Sequence, residues 1–363
     1  MRKRREFIKT MAGATGALVM GSKLVSVVAA QAPAPRVGRV MVGGQPVRVI
    51  DVHCHWRVPG LPALDLPGGG GGRGGRGGGG AAADPVATRL ALMDARGIDV
   101  AMLSVNGFNW YGSDDRDLIS RYMAAQDEAL AAICRANPTR FVAVSSPSLQ
   151  FPDLAAQQLE RAMNELGLKG ASIGGHCRGE SLSDAKYDPF WAKCEELEAL
   201  VFMHPGGADN LLQEDLWEDT RGDLGNIIGN PLESTAFVSR LIYDGTLDKF
   251  PRLKICVAHA GGYLASYLGR GDQACEVRGN ANCANTRQFR EYFTDQIMVD
   301  TMIFSDEGLR HLVAEIGAGQ IMYGTDMAFN WPDGIDEVLR ADYLSDAQKE
   351  GILGGTLARL LKI

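Results

Sequence analysis

Eight short runs rich in β-branched and aromatic residues recur along this chain, and between them lie longer stretches in which apolar residues return with helical spacing. The runs are Val47 to Trp56, Asp99 to Val105, Phe141 to Pro147, Gly170 to His176, Leu200 to His204, Leu253 to His259, Gln296 to Thr301 and Gln320 to Asp326. Helical stretches between them include Asp84 to Arg96, Asp115 to Ala136, Asp153 to Leu166, Pro189 to Ala199 and Ser305 to Ile316. The first of these starts on a capping Asp84 with Pro85 in its first turn and stops at Gly97. Strands alternating with crossover helices run parallel, and eight such units close into an α/β barrel, a size that 363 residues accommodate. A doubly wound open sheet is the competing arrangement, but no G-x-G-x-x-G follows a strand here. The expectation is a distorted (β/α)8 TIM barrel.

In such a barrel the catalytic groups gather at the C-terminal ends of the strands. The chain has six histidines, His53, His55, His176, His204, His259 and His311, and all but His311 fall at or near such an end. His53 and His55 stand two apart on an extended segment, so both face one side while Cys54 faces the other. Asp326 ends the eighth run. Neutral imidazoles beside a carboxylate suit a divalent metal, since imidazole nitrogen binds zinc at about 2.0–2.1 Å and an open catalytic site keeps a place for water. Residue types alone do not divide ligand from base among these histidines. His311, inside a helical stretch, reads as a surface residue, and Trp56, Trp110, Trp217, Trp331 and Phe329 as candidate walls for a planar substrate.

The ordered set D-V-H-C-H, F-M-H-P-G, A-H-A-G-G, Y-G-T-D and G-G-T-L-A-R-L-L resembles the amidohydrolase superfamily, specifically the branch containing aminocarboxymuconate-semialdehyde decarboxylase. The similarity covers about residues 47 to 363. It implies a metal-dependent hydrolase type of barrel with one divalent metal, usually zinc, held by His53, His55, His204 and Asp326. It also implies His259 as the proton shuttle. Arg270, eleven residues after His259, matches an arginine that in the decarboxylase relatives enters the neighbouring subunit's site and grips a substrate carboxylate, which implies a homodimer. Dinuclear members place a carboxylated lysine or a glutamate where His176 ends the fourth run, so one metal is expected; His176 is then a substrate contact, a neighbour of the ligands or a structural residue. The implied activity is non-oxidative decarboxylation of an aromatic or unsaturated carboxylic acid. Hydrolysis of a lactone, ester or amide is the alternative, and a non-catalytic binding barrel is a third. One departure stands out: the decarboxylases carry an arginine between the first strand and first helix, where this chain has 11 glycines in the run 68–80, and neither Arg73 nor Arg76 matches it. That run reads as a mobile insertion in the first βα loop.

The first thirty residues hold six Lys/Arg against one acid and include Arg4-Arg5 before a mildly apolar stretch of small residues. They resemble a twin-arginine export signal, cut after Ala30, which implies a periplasmic enzyme that leaves the cytoplasm folded. Gly13, Gly16, Gly21 and Lys23 interrupt the apolar stretch, so no stable membrane anchor is expected. Residues 31–46 read as a linker and 47–363 as the catalytic domain. The whole chain carries −7, and without the +5 of the first thirty residues it carries −12, which argues against nucleic-acid or anionic-membrane partners and for a small molecule. The seven cysteines show no C-x-x-C spacing; Cys275 and Cys283 either pair in an oxidising compartment or remain thiols.

Overall fold

The computed structural model describes residues 36, 38–58, 61, 86–206, 211 and 222–363. The export signal, much of the linker, the glycine run with Arg73 and Arg76, the Asp84 cap and Trp217 lie outside the described residues.

All eight expected strands form: β1 Ile50–His55, β2 Val100–Ser104, β3 Phe141–Ala143, β4 Gly170–Ile173, β5 Leu200–Met203, β6 Lys254–Val257, β7 Ile297–Asp300 and β8 Ile321–Met322. Each paired neighbour is parallel, giving one sheet of β1-β2-β3 and another of β4-β5-β6-β7-β8. Two seams join these sheets into a barrel. At one, Ser145 bridges to Ala171, with Ser145 N donating to Gly170 O at 2.9 Å and Ser172 N to Ser145 O at 2.6 Å. At the other, Cys54 bridges to Met327, with Val52 N donating to Tyr323 O at 2.9 Å and His55 N to Met327 O at 2.5 Å. The strands are shorter than the runs that encode them because the C-terminal residues of the runs leave the ladder. His259 and Asp326, the last residues of the sixth and eighth runs, both have left-handed backbone, with φ of 56°.

Two apolar layers follow from the parallel arrangement, in which a strand is covered on both faces. Ile50, Val52, Val100, Met102, Leu200, Phe202, Cys256 and Met298 form the inner cluster, joined by Leu357 and Leu361 of the C-terminal helix Thr356–Leu361. The outer cluster holds alternate strand residues such as Ala101, Leu103, Val201 and Val257 against the helices. Those helices include α1 Val86–Arg96, α2 Arg116–Ala136, α3 Pro152–Asn164, α4 Asp188–Glu196, α5 Asn230–Tyr243, α6 Leu264–Val277 and α7 Asp306–Ile316. Their ends obey local chemistry: Asp115 caps α2 by accepting from Leu118 N, and Ser305 caps α7 by accepting from Gly308 N. No helix among the described residues is long and apolar enough to cross a membrane.

The register between β1 and β2 shifts between Asp51 and Cys54. Before the shift Ile50 and Val52 belong to the inner cluster; after it Cys54 packs in the outer one. The irregularity thus aims His53 and His55 into the mouth of the barrel, the use to which bulges are put beside active sites. Cys275 and Cys283 form a disulfide at the end of α6, and the other five cysteines are not disulfide-bonded.

Candidate active site

Four imidazoles and one carboxylate converge where the strands end. From β1, His53 Nε2 and His55 Nε2 approach to 3.2 Å. Across the seam, Asp326 Oδ1 lies 3.2 Å from His53 Nε2 and 2.7 Å from His55 Nε2. His204, just beyond β5, sets its ring 4.6 Å from that of His55 and 5.0 Å from that of His53. His259, just beyond β6, has its ring 5.1 Å from His204, and its Nε2 is 3.9 Å from Asp326 Oδ2. One donor atom each from His53, His204, His259 and Asp326 lie within 4.8 Å of one another.

The backs of these rings are held. His53 Nδ1 donates to Asp300 Oδ2 at 2.7 Å and His204 Nδ1 to Pro205 O at 2.8 Å. Because those partners only accept, the hydrogen sits on Nδ1 and the Nε2 lone pair faces the cluster, the usual arrangement behind a metal-binding histidine. His55 Nδ1 lies 3.0 Å from the Asn106 amide nitrogen, and that amide is fixed by Ser104 and Ser172. Asp51 accepts from His53 N at 2.9 Å, Thr325 N at 3.1 Å and Thr325 Oγ1 at 2.5 Å, stapling the two strands that carry His53 and Asp326. Glu233 of α5 accepts from Gly175 N and Gly206 N, tying together the loops after β4 and β5 behind His204. Two motif glycines serve close approach. A Cβ at Gly262 would stand 2.2 Å from Pro231 O, and one at Gly324 would stand 2.9 Å from Asp300 Cβ and 3.0 Å from His53 Cβ.

Burial, followed by the neighbouring imidazoles, holds His204 well below the ordinary histidine range. Burial and His53 push His259 down to about 4, and burial lowers His55. Burial also opposes charge on His53, but the Asp326 and Asp300 carboxylates outweigh it and raise that ring to about 10. Burial works against the Asp326 anion too, yet His53 and His55 hold its carboxyl well below the usual carboxylate range. Near neutral pH, with no ion bound, the Asp326 anion therefore faces a protonated His53 and neutral His55, His204 and His259; a divalent cation would take the place of the His53 Nε2 proton, and the set fits one such ion. His259 Nδ1, a buried atom, has no hydrogen-bond partner, and Asp326 Oδ1 is crowded by two Nε2 atoms at once, as expected of atoms shaped around an ion rather than around one another.

Other expected residues lie apart from the cluster. His176 opens a hairpin, His176–Cys177 with Glu180–Ser181, and its Nδ1 accepts from Gly179 N at 3.0 Å. Arg270 is exposed on α6. His311 is exposed on α7 with Nε2 3.2 Å from Ser266 Oγ. Of the candidate aromatic walls, Phe329 meets His55 edge-on at 5.5 Å and is 41% exposed, and Trp331 stacks on Phe304 at 5.3 Å. Trp56 and Trp110 are buried and belong to the outer apolar cluster. Asp51, Asn106, Glu233 and Asp300 received no role from the sequence. Asp300 ends β7, so the strand-end rule that singled out the histidines applies to it as well.

The amidohydrolase family profile matches residues 50–363. The 2-amino-3-carboxymuconate-6-semialdehyde decarboxylase of Dictyostelium discoideum is 29% identical over 286 residues, 75% of either chain. Gamma-resorcylate decarboxylase of Rhizobium radiobacter is 30% identical over 286 residues, 76% of this chain and 86% of that one. Among solved structures, 2,6-dihydroxybenzoate decarboxylase complexed with 2,6-dihydroxybenzoate superposes with a TM-score of 0.74 at 26% identity, covering 87% of this chain and 100% of that one. The dihydroxybenzoic acid decarboxylase of Polaromonas sp. JS666, with bound manganese and the inhibitor 2-nitroresorcinol, gives 0.73 at 25% identity, covering 87% and 97%. The matched span runs through every member of the strand-end cluster, from His53 to Asp326, and the chain belongs to the amidohydrolase family.

Proposed function

We propose that this enzyme removes CO2 non-oxidatively from a hydroxylated aromatic acid, with His53, His55, His204 and Asp326 holding one divalent ion and His259 moving the proton. The carrying observation is the placement of His259: a neutral, partly buried imidazole beside Asp326, with one ring nitrogen unpartnered. When bound, the ion supplies a positive charge that anchors the anionic substrate and draws electron density from it. His259 takes up a proton and delivers it to the ring carbon from which CO2 departs. The electron pair of the broken C–C bond stays with the ring and forms the new C–H bond, so one proton is consumed for each carboxylate converted. Phe329, edge-on to His55 and partly exposed, offers a face against which a planar ring can lie.

Zinc is the ion we assign, on its affinity for nitrogen-rich donor sets, with the manganese of the Polaromonas relative as the comparison. Arg270 is proposed to enter the site of a second copy and pair with the substrate carboxylate, which makes the working unit a homodimer; its exposure on α6 is compatible with that role. His176 is proposed as a more distant substrate contact on the same rim. Export through the twin-arginine route to the periplasm is proposed from residues 1–30, and the Cys275–Cys283 disulfide agrees with an oxidising destination.

The test is a panel of hydroxybenzoates and aromatic lactones given to the zinc- or manganese-loaded protein. Decarboxylation predicts CO2 from at least one hydroxybenzoate and no water oxygen in the aromatic product. Incorporation of 18O from water into a ring-opened lactone, without CO2 release, would replace it with hydrolysis.

A further inference from the structure

Asp300, the last residue of β7, is completely buried, and its carboxylate makes four hydrogen bonds. Oδ2 accepts from His53 Nδ1 at 2.7 Å and from His259 N at 3.1 Å; Oδ1 accepts from Ala260 N at 2.8 Å and Met302 N at 3.1 Å. Two of those amides belong to successive residues in the left-handed region, His259 with φ 56° and Ala260 with φ 55°. Residues bearing a Cβ adopt that conformation rarely, and two in succession persist only where their surroundings hold them. Successive amides turned towards one anion form an anion-binding concavity, and the anion here is the protein's own carboxylate. The same oxygen that closes this concavity also fixes the hydrogen of His53 on Nδ1.

We infer that Asp300 is the positioning residue that couples a metal ligand to the proton shuttle. One connection keeps the His53 lone pair turned to the ion. The other holds the left-handed turn that aims the His259 ring at Asp326. Asp300 touches neither substrate nor ion and acts only through these two histidines. Its place in the chemistry rests on the cluster being a metal site with His259 as shuttle, whereas its two connections can be measured without turnover. A neutral amide cannot replace it, because its NH2 would face a hydrogen-bond donor on one side or the other.

The experiment compares the full-length protein with Asp300→Asn and with Asp300→Asn/Ala260→Gly. It measures Mn2+ affinity by chelator competition, kcat and KM for 2,6-dihydroxybenzoate at saturating metal, and the melting temperature of the metal-free proteins. Asp300→Asn is expected to weaken Mn2+ binding by about 10–100-fold and to lower kcat by a similar factor, with KM changing less than about threefold. Glycine at 260 adopts the left-handed turn without an anion to hold it, so the double variant is expected to regain about tenfold in kcat while Mn2+ affinity stays low. The inference is overturned if Asp300→Asn lowers only the melting temperature, or if Ala260→Gly restores affinity and kcat together or restores neither. Should Asp300→Asn not fold, the zinc-loaded native protein labelled with 15N-histidine decides. His53 must then carry its hydrogen on Nδ1, and a hydrogen on Nε2 would refute the connection. If the native protein releases no CO2 while the affinity results hold, the proposed reaction falls and the connection between Asp300 and His53 stands.

Discussion

The barrel has two seams, and they are built alike but used differently. Where β3 meets β4, Asp127 reaches in from α2 and accepts from Ser145 Oγ at 2.8 Å, leaving its other oxygen without a partner. Where β8 meets β1, Asp51 accepts three hydrogen bonds, two of them from Thr325. Burial raises both carboxyls, Asp127 to about 7 and Asp51 to about 6. At each seam the regular ladder gives out beside a buried carboxyl that meets a hydroxyl, and at the second that carboxyl also takes up the backbone N–H groups of His53 and Thr325. Only at the second do the strand end and the loop beside the seam carry His53, His55 and Asp326. A polar staple thus accompanies closure at both seams, but a staple does not make an active site. The site arises where donors of nitrogen and oxygen flank it on both sides.

The comparison breaks most directly at Asp326. Asp326→Ala is expected to abolish both metal retention and turnover, measured by elemental analysis and CO2 release. His259→Ala should keep the metal and lose about 10²–10⁴-fold in kcat. The reverse pattern would exchange the two roles. Next in size is Asp51→Ala, which strips three hydrogen bonds from the catalytic seam and is expected to cost about 4 kcal/mol in denaturant unfolding while also weakening metal binding. Asp127→Asn should act in the opposite direction. Its folded pKa of about 7 lies above the ordinary aspartate value of 3.8, so folding holds back a proton that the unfolded chain releases, and the penalty grows as pH rises between those values. The Asn variant should be more stable than the native protein at pH 8 by about 2 kcal/mol, with the gain gone near pH 4 and kcat unchanged. Equal losses of metal affinity in the Asp51 and Asp127 variants would erase the distinction between the seams. Smallest is Arg270→Ala, remote from both, expected to raise KM for carboxylate substrates about tenfold with little change in kcat. An unchanged KM would dispose of the cross-subunit clamp.

The strands were legible because a parallel strand covered on both faces leaves an apolar run bounded by turn residues. Their lengths were not, since His204, His259 and Asp326 belong to the same apolar runs yet turn out of the ladder into the mouth. Histidine carried information by being scarce: six residues, five at strand ends, against 44 acids scattered along the chain. Asp300 obeys the same rule but is lost among those acids. Asp51 sat inside a quoted motif, yet its role needs the knowledge that β1 and β8 are neighbours, with Thr325 274 residues away in sequence. The register shift beside His53 has no signature in composition or periodicity. Nor does burial of an aromatic ring: Trp56 and Trp110 are buried in the outer apolar cluster while Phe329 is exposed.

The central claim is that the cluster at the β8–β1 seam, loaded with one divalent ion, replaces a ring carboxylate by a proton. Its most direct test is turnover of 2,6-dihydroxybenzoate in D2O by the metal-loaded protein, following CO2 and the ring product together. The account predicts one CO2 for each resorcinol formed, one deuterium at the vacated carbon, and loss of both signals when the metal is chelated. Turnover that survives complete removal of the metal, or a resorcinol product without deuterium at that carbon, would contradict it.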